Sequence, residues 1–142
     1  MSDNTIHWGI LGPGSISTKF AQGLKAVPYA RISAIGSRDL DRAKTFADNF
    51  NAPNAYGSYE ALVADPDVDV IYIGTPHSFH KDHTLLCLNA GKHVLCEKPF
   101  AINAAEAQEM VTFARKKKLF LMEAMWSRYL PTLVKVRELI AD

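Results

Sequence analysis

Apolar and polar positions follow one another along this chain in blocks that predict strands and helices in turn. Short apolar runs without helical spacing predict six strands, at residues 6–11, 31–35, 55–56, 68–73, 93–96 and 120–122. Between these runs, apolar residues recur every three or four positions, as Ile16, Phe20 and Leu24 do, which predicts amphipathic helices. Such alternation is typical of α/β proteins with a parallel sheet.

The run Val68–Ile73 is the most strand-like segment, because it is β-branched, nearly continuous in apolar residues and too short for a helix. A continuous apolar run predicts burial on both faces, as in a parallel sheet covered by helices. Right-handed crossovers then predict a doubly wound Rossmann-type sheet with the strand order 3-2-1-4-5-6. Ligands of such sheets bind beyond the carboxyl ends of the strands, so the residues that follow each strand are the functional candidates.

A glycine loop, Gly12-Pro13-Gly14, follows the first strand directly and precedes the first helix. Gly12 permits a tight turn, and Gly14 lets the backbone approach a pyrophosphate closely. The first helical N–H groups, at Ser15 and Ile16, can donate to the phosphates. The third small position is Ser17 rather than glycine, so the fingerprint reads GxGxxS. This context predicts dinucleotide binding.

The second strand ends in Gly36-Ser37-Arg38, where NAD-binding proteins usually carry an acidic residue for the adenosine ribose. Ser37 can donate a hydrogen bond to a 2′-phosphate and Arg38 can pair with it, which favours NADP, although NAD stays possible. In the alternative interpretation, Arg38 is a solvated residue at a helix start, and Asp39 or Asp41 serves the ribose.

The fourth strand is followed by Thr75-Pro76-His77, which we expect beside a cofactor or substrate, unless it is a plain turn into a helix. His77, His80 and His83 are spaced by three residues and fan over about 120° of a helix. Such divergence predicts no metal site. We expect one histidine near the cofactor and the others exposed.

The turns after the fifth and sixth strands carry two more candidate sites. In Glu97-Lys98-Pro99, a partly desolvated Lys98 can donate to a substrate oxygen, or the first two residues can form an ordinary surface ion pair. Trp126 begins an aromatic cluster that either closes over a nicotinamide or anchors the last helix.

The composition is that of a globular domain with a sizeable core: 142 residues, 48% hydrophobic and 22% charged. A net charge of +1 gives no electrostatic case for binding nucleic acid or an anionic membrane. Cys87 and Cys96 alone make neither a disulfide framework nor a zinc site. The first five residues lack the pattern of a signal peptide, and no apolar run reaches membrane-spanning length, so we expect a cytoplasmic protein.

Taken together, these residues resemble the N-terminal half of the Gfo/Idh/MocA oxidoreductase family. The resemblance rests on four motifs: the Gly12-Pro13-Gly14 loop, Thr75-Pro76 with His80, Glu97-Lys98-Pro99, and Glu123-Ala-Met-Trp126-Ser-Arg128. The last motif and Ser37-Arg38 are most similar to the NADP-linked dihydrodiol or D-xylose dehydrogenase branch. His77 departs from the asparagine common after Thr-Pro in the family.

This resemblance implies reversible hydride transfer between a nicotinamide and a small sugar or cyclic alcohol. It implies that Lys98 is the catalytic residue and that the Lys98-Pro99 peptide is cis. The residues that it places around the cofactor are Gly12, Gly14, Ser15, Ile16, Ser37, Arg38, Thr75, Pro76, His77, His80, Glu97, Lys98, Trp126 and Arg128.

Family members carry a second α/β domain with the substrate wall, a partner acid or base and the dimer interface. We therefore expect residues 1–124 to form the dinucleotide-binding domain and residues 125–142 to begin the connection to a C-terminal domain that this chain lacks. Such a fragment would bind cofactor without turnover, and its parent would be a homo-oligomer. Two alternatives are a non-catalytic nucleotide-sensing module and a methyltransferase-like nucleoside binder, although Arg38 and the Lys98 turn argue against the latter.

Overall fold

The computed structural model describes residues 5–141 of the chain, and strands and helices alternate throughout them. The strands are β1 (Ile6–Leu11), β2 (Ala30–Gly36), β3 (Asn54–Tyr56), β4 (Val70–Ile73), β5 (His93–Cys96) and β6 (Leu121–Glu123). The α-helices are α1 (Ser15–Leu24), α2 (Leu40–Phe50), α3 (Tyr59–Val63), α4 (His80–Asn89), α5 (Ala104–Lys117) and α6 (Pro131–Ile140). Short 3-10 helices occupy His77–Phe79 and Trp126–Tyr129.

The strands form one parallel sheet in the order β3-β2-β1-β4-β5-β6, which confirms the predicted Rossmann order. Leu11 is paired with both Gly36 and Ile73, and Cys96 is paired with both Ile73 and Glu123. Tyr56, the last residue of β3, is paired with Gly36 in turn, so the last residues of all six strands lie in one row. The turns that follow these strands share the carboxyl edge of the sheet, where Rossmann folds bind their ligands.

Two apolar layers enclose the sheet. Helices α1 and α2 pack Ala21 and Phe46 against one face, which includes Ile10 and Tyr72. Helices α3, α4 and α5 supply the other face with a second set of buried side chains, among them Leu62, Leu88 and Met110. All four residues of β4 are buried, as the continuous apolar run predicts. The rigid sheet fixes where each connecting turn emerges.

Helix α4 begins later than the sequence pattern suggests. Pro76 has an extended backbone, with ψ at 141°, and the Phe79 N–H donates to the Pro76 carbonyl at 2.9 Å. This i to i+3 bond closes a 3-10 turn before the α-helix starts at His80. Strands β1 and β5 have the predicted bounds, and the other four strands differ from theirs by one or two residues at one or both ends, as strand ends commonly do.

Helix α6 opens at Pro131, as predicted, but it buries none of its residues within the described chain. Most of its apolar side chains are exposed to solvent, including Leu133, Val136, Leu139 and Ile140, the last of which is 77% exposed. Among residues 5–141, no helix combines the length and apolarity that crossing a membrane needs.

Candidate active site

The two glycines of the first loop meet different requirements. Gly12 has a φ of +88°, and a Cβ there would lie 2.7 Å from Cγ2 of Thr75. A Cβ on Gly14 would meet nothing within 4 Å, because this glycine faces the open cavity at the sheet edge. Gly12 is therefore demanded by the protein's own backbone and packing, whereas Gly14 leaves space for a ligand to approach.

The start of helix α1 is suited to an anion. No side chain caps this helix, whereas Asp39, Ser58 and Asn103 cap α2, α3 and α5. The buried Ser17 hydroxyl donates to the Gly12 carbonyl at 2.7 Å and so ties the loop to the helix. Uncapped N–H groups and the helix dipole supply the donors and the partial positive charge that an anion such as a pyrophosphate requires.

A polar cavity runs from the glycine loop to the end of β2. Besides the loop, it is lined by Ser15, Ile16, Ser37, Arg38, Asp39, Arg42, Tyr59, Gly74, Thr75 and Pro76. The buried Ser37 hydroxyl accepts from the Asp39 N–H at 3.2 Å, so its own hydrogen is free to be donated to a ligand. The geometry suits a phosphate beside Ser37 and two guanidinium groups.

The Asp39 carboxylate has another role. Its Oδ1 accepts from the N–H groups of Asp41 and Arg42 at 3.0 and 3.1 Å, which is the N-cap of α2. The aspartate at the end of β2 thus serves the helix, and its neighbour Asp41 does not line the cavity. Asp39 itself lines the cavity, and its second oxygen, Oδ2, takes no part in these N-cap bonds.

In the turn after β5, the Glu97 side chain is buried and the Lys98 side chain is exposed. Glu97 is 8% exposed; its Oε1 accepts from the Tyr72 hydroxyl at 2.7 Å, and its Oε2 accepts from the Lys98 N–H at 3.1 Å. Burial and the Glu97 carboxylate raise the pKa of Tyr72 well above its usual range, so the hydroxyl remains a donor.

The Lys98 side chain is exposed and makes no ion pair with any of the residues 5–141, so the predicted surface ion pair between Glu97 and Lys98 is not formed. The Lys98-Pro99 peptide is cis, as the resemblance implies.

A second, largely apolar cavity adjoins the first. Its lining includes Ile16, Phe20, Tyr72, Leu95, Glu97, Lys98, Met122 and Trp126. Ile16 lines both cavities, so they meet at the start of α1. Trp126 is 64% exposed, and Arg128 is exposed and lines neither cavity. The second cavity offers an apolar wall for a flat ring, with the Lys98 ammonium group beside it.

The three histidines differ from the expectation of one near the cofactor and the others exposed. His77 is exposed and lines neither cavity. His80 is 1% exposed, with both ring nitrogens near backbone carbonyls. His83 is half-buried, its Nδ1 lies 2.9 Å from the Thr75 Oγ1, and burial lowers its pKa. Within the described part of the chain, no three ligating side chains converge on a metal position.

Comparison with known proteins shows the family to which this chain belongs. A model of an oxidoreductase family with an NAD-binding Rossmann fold matches residues 6–125. The chain belongs to the Gfo/Idh/MocA oxidoreductase family. The resemblance noted from the sequence is thereby confirmed, and this domain is of the NAD(P)-binding Rossmann type.

Several relatives extend the match to one branch of the Gfo/Idh/MocA family. The chain is 51% identical over 137 residues to trans-1,2-dihydrobenzene-1,2-diol dehydrogenase of Xenopus tropicalis, and 50% identical over 139 residues to the enzyme of that name from Homo sapiens. These alignments cover 95% and 96% of this chain but 42% of each relative. The chain thus spans about two fifths of the length of these curated relatives.

Solved structures agree with the fold. KijD10, a 3-ketoreductase from Actinomadura kijaniata in complex with NADP and TDP-benzene, superposes with a TM-score of 0.91 at 34% identity. The match covers 97% of this chain and 42% of KijD10. An NAD-binding oxidoreductase from Klebsiella pneumoniae has a TM-score of 0.90 at 31% identity, covering 96% of this chain and 39% of its own.

Sequence reasoning missed two residues that shape this Gfo/Idh/MocA site, and it missed the contact that a third residue makes. Arg42 joins Arg38 in the polar cavity, and a second arginine in the first turn of α2 was a signal that could have found it. Tyr72 lies inside a buried strand, and its hydroxyl was the one polar group there. Glu123 accepts from the Phe100 N–H at 2.9 Å, and no sequence signal pairs these residues.

Proposed function

We propose that this Gfo/Idh/MocA domain binds NADP in preference to NAD and serves a protein that transfers hydride between the nicotinamide and a sugar or cyclic alcohol. One observation carries the proposal: two cavities meet at Ile16, the first bounded by Ser37, Arg38 and Arg42 and the second by Lys98 on an apolar wall. The names of the dihydrodiol dehydrogenase relatives and the NADP complex of the ketoreductase support it.

The described residues fit the parts of this cofactor. The uncapped start of α1 suits the pyrophosphate, and the Ser37 hydroxyl with the two arginines suits the 2′-phosphate. The apolar wall around Leu95 suits the nicotinamide, which supplies the hydride chemistry when bound. The Lys98 amino group beside that wall would bind the substrate oxygen and help move its proton.

We further propose that residues 125–142 lead into a second domain that completes the substrate site and the oligomer interface. The uncovered apolar side chains of α6, such as Leu139, support this division, as does the greater length of the relatives. General acid–base catalysis requires groups on both sides of the bound substrate, and this chain furnishes one side.

NADPH should bind to this chain more tightly than NADH, because the guanidinium groups of Arg38 and Arg42 pair with the 2′-phosphate. A charge-assisted bond contributes about 1.5–3 kcal/mol, so the ratio of dissociation constants should be on the order of tenfold or more. Fluorescence titration of both cofactors measures it. Arg38→Ala should remove most of the preference by weakening NADPH, with little change for NADH.

The matched control is Arg31→Ala, since this exposed arginine borders a cavity at the opposite end of the sheet. Its variant should keep the wild-type ratio. Equal affinities for the two cofactors, both before and after the Arg38 substitution, would contradict the NADP assignment.

A further inference from the structure

The turn that carries Lys98 is held by side chains at three consecutive backbone positions. Glu97 accepts from the Lys98 N–H at 3.1 Å, and Glu123 accepts from the Phe100 N–H at 2.9 Å. Between them, the Nδ1 of His80 lies 2.8 Å from the Pro99 carbonyl. The backbone from which Lys98 extends is therefore fixed by groups from helix α4 and strand β6 as well as by its own neighbour.

His80 also contacts the other loop of the site. Its Nε2 lies 2.9 Å from the carbonyl of Thr75, whose side chain borders the polar cavity and packs against Gly12. Carbonyl oxygens only accept, so a hydrogen bond between the ring and either carbonyl is donated by a ring N–H.

Helix α4 gives this histidine a rigid base. His80 is its first residue, and the buried side chains of Thr84, Cys87 and Leu88 hold the same helix against the sheet. The ring itself is 1% exposed and lines neither cavity, so it acts beneath the site rather than in contact with a ligand. Because helix α4 is packed in the core, the His80 ring can hold the two loops in a fixed relative position.

We infer that His80 is a positioning residue: by bridging the carbonyls of Thr75 and Pro99, it sets the position of Lys98 relative to the cofactor loop. This inference rests on the proposed function, because the position of Lys98 affects the reaction only if its amino group contacts a substrate beside a bound nicotinamide. It assigns His80 a role other than the cofactor contact that the resemblance implies.

The test compares His80→Leu and His80→Gln with His77→Gln, whose exposed histidine lies three residues away. Leu removes the two ring nitrogens that contact the carbonyls. Gln places both of its N–H groups on one nitrogen, so it cannot span two carbonyls that lie on opposite sides of the His80 ring.

The first readout, taken without cofactor, is amide hydrogen exchange at Phe100. The second is the carbon-13 signal of reductively methylated Lys98, assigned with Lys98→Arg and followed as NADP is added.

Exchange at Phe100 should accelerate on the order of tenfold or more in His80→Leu and by less in His80→Gln, with β4 amides unchanged. The Lys98 signal should lose most of its response to NADP in both variants, while His77→Gln matches wild type. Any folded His80 variant with wild-type exchange at Phe100 and a wild-type Lys98 response overturns the inference. If the wild-type chain failed to bind NADP, the proposed function would fail, and Phe100 exchange would still decide the role of His80.

Discussion

Purified alone, the 142-residue chain is expected to bind NADP and to oxidise no aldose or cyclic diol. Hydride transfer needs the donor and acceptor carbons held about 3–3.5 Å apart, and this alignment supplies roughly 7–11 kcal/mol of the barrier. The described residues bound the cofactor side, and the cavity beside Lys98 stays open at the exposed Trp126. Absorbance at the nicotinamide band, with a panel of aldoses and cyclic diols, measures turnover.

A chimera makes the same prediction testable as a gain of activity. Residues 6–142 would replace the matching segment of the Xenopus tropicalis dihydrodiol dehydrogenase, which is 51% identical. The chimera should turn over the diol in that enzyme's name, and Lys98→Met should lower kcat by about 10²–10⁴-fold without changing NADP affinity.

The matched control is Lys19→Met, because Lys19 lines the same cavity without following a strand of the sheet. Turnover by the isolated chain that disappears with Lys98→Met would show that one domain suffices. A chimera whose activity is indifferent to Lys98→Met would favour a non-catalytic nucleotide-binding role for the domain.

Alanine at the two glycines of the loop should separate folding from cofactor binding. Gly12→Ala should lower the free energy of unfolding by about 1–3 kcal/mol, because alanine is strained at positive φ. The contact of its Cβ with Thr75 adds to this cost. For a domain of this size, the melting temperature should fall on the order of 5–10 °C.

Gly14→Ala should instead weaken NADP binding and have little effect on folding stability. Its backbone is extended and its Cβ position is open, but glycine is preferred to alanine at an N-cap, so the free energy of unfolding should change by less than about 1 kcal/mol. The methyl group would occupy the approach of the pyrophosphate, and NADP affinity should fall on the order of tenfold or more. Urea unfolding and NADP titration measure the two effects.

Gly23→Ala is the control, since this glycine lies in the same helix with open space at its Cβ. It should raise stability through helix propensity and leave NADP affinity unchanged. If Gly14→Ala bound NADP as tightly as wild type, the pyrophosphate would not lie against this loop.

The sequence by itself determined the sheet and the place of its ligand edge. Strand order followed from the alternation of short apolar runs with amphipathic helices, and the buried β4 followed from the continuous run ending at Ile73. The glycine loop was equally readable, because the tight turn at Gly12, with its φ of +88°, lies directly between strand β1 and helix α1. Periodicity and turn chemistry are local properties, so one sequence suffices to state them.

Only the tertiary structure decided what each polar side chain does at that edge. His80 lies 19 residues from Pro99, and Glu97 lies 25 residues from Tyr72. No sequence periodicity relates such partners, since their contact depends on which strands become neighbours. The structure buries the His80 ring and places its two nitrogens near the carbonyls of Thr75 and Pro99. Burying a polar group requires a partner, and distant parts of the chain provide one only once the sheet has formed.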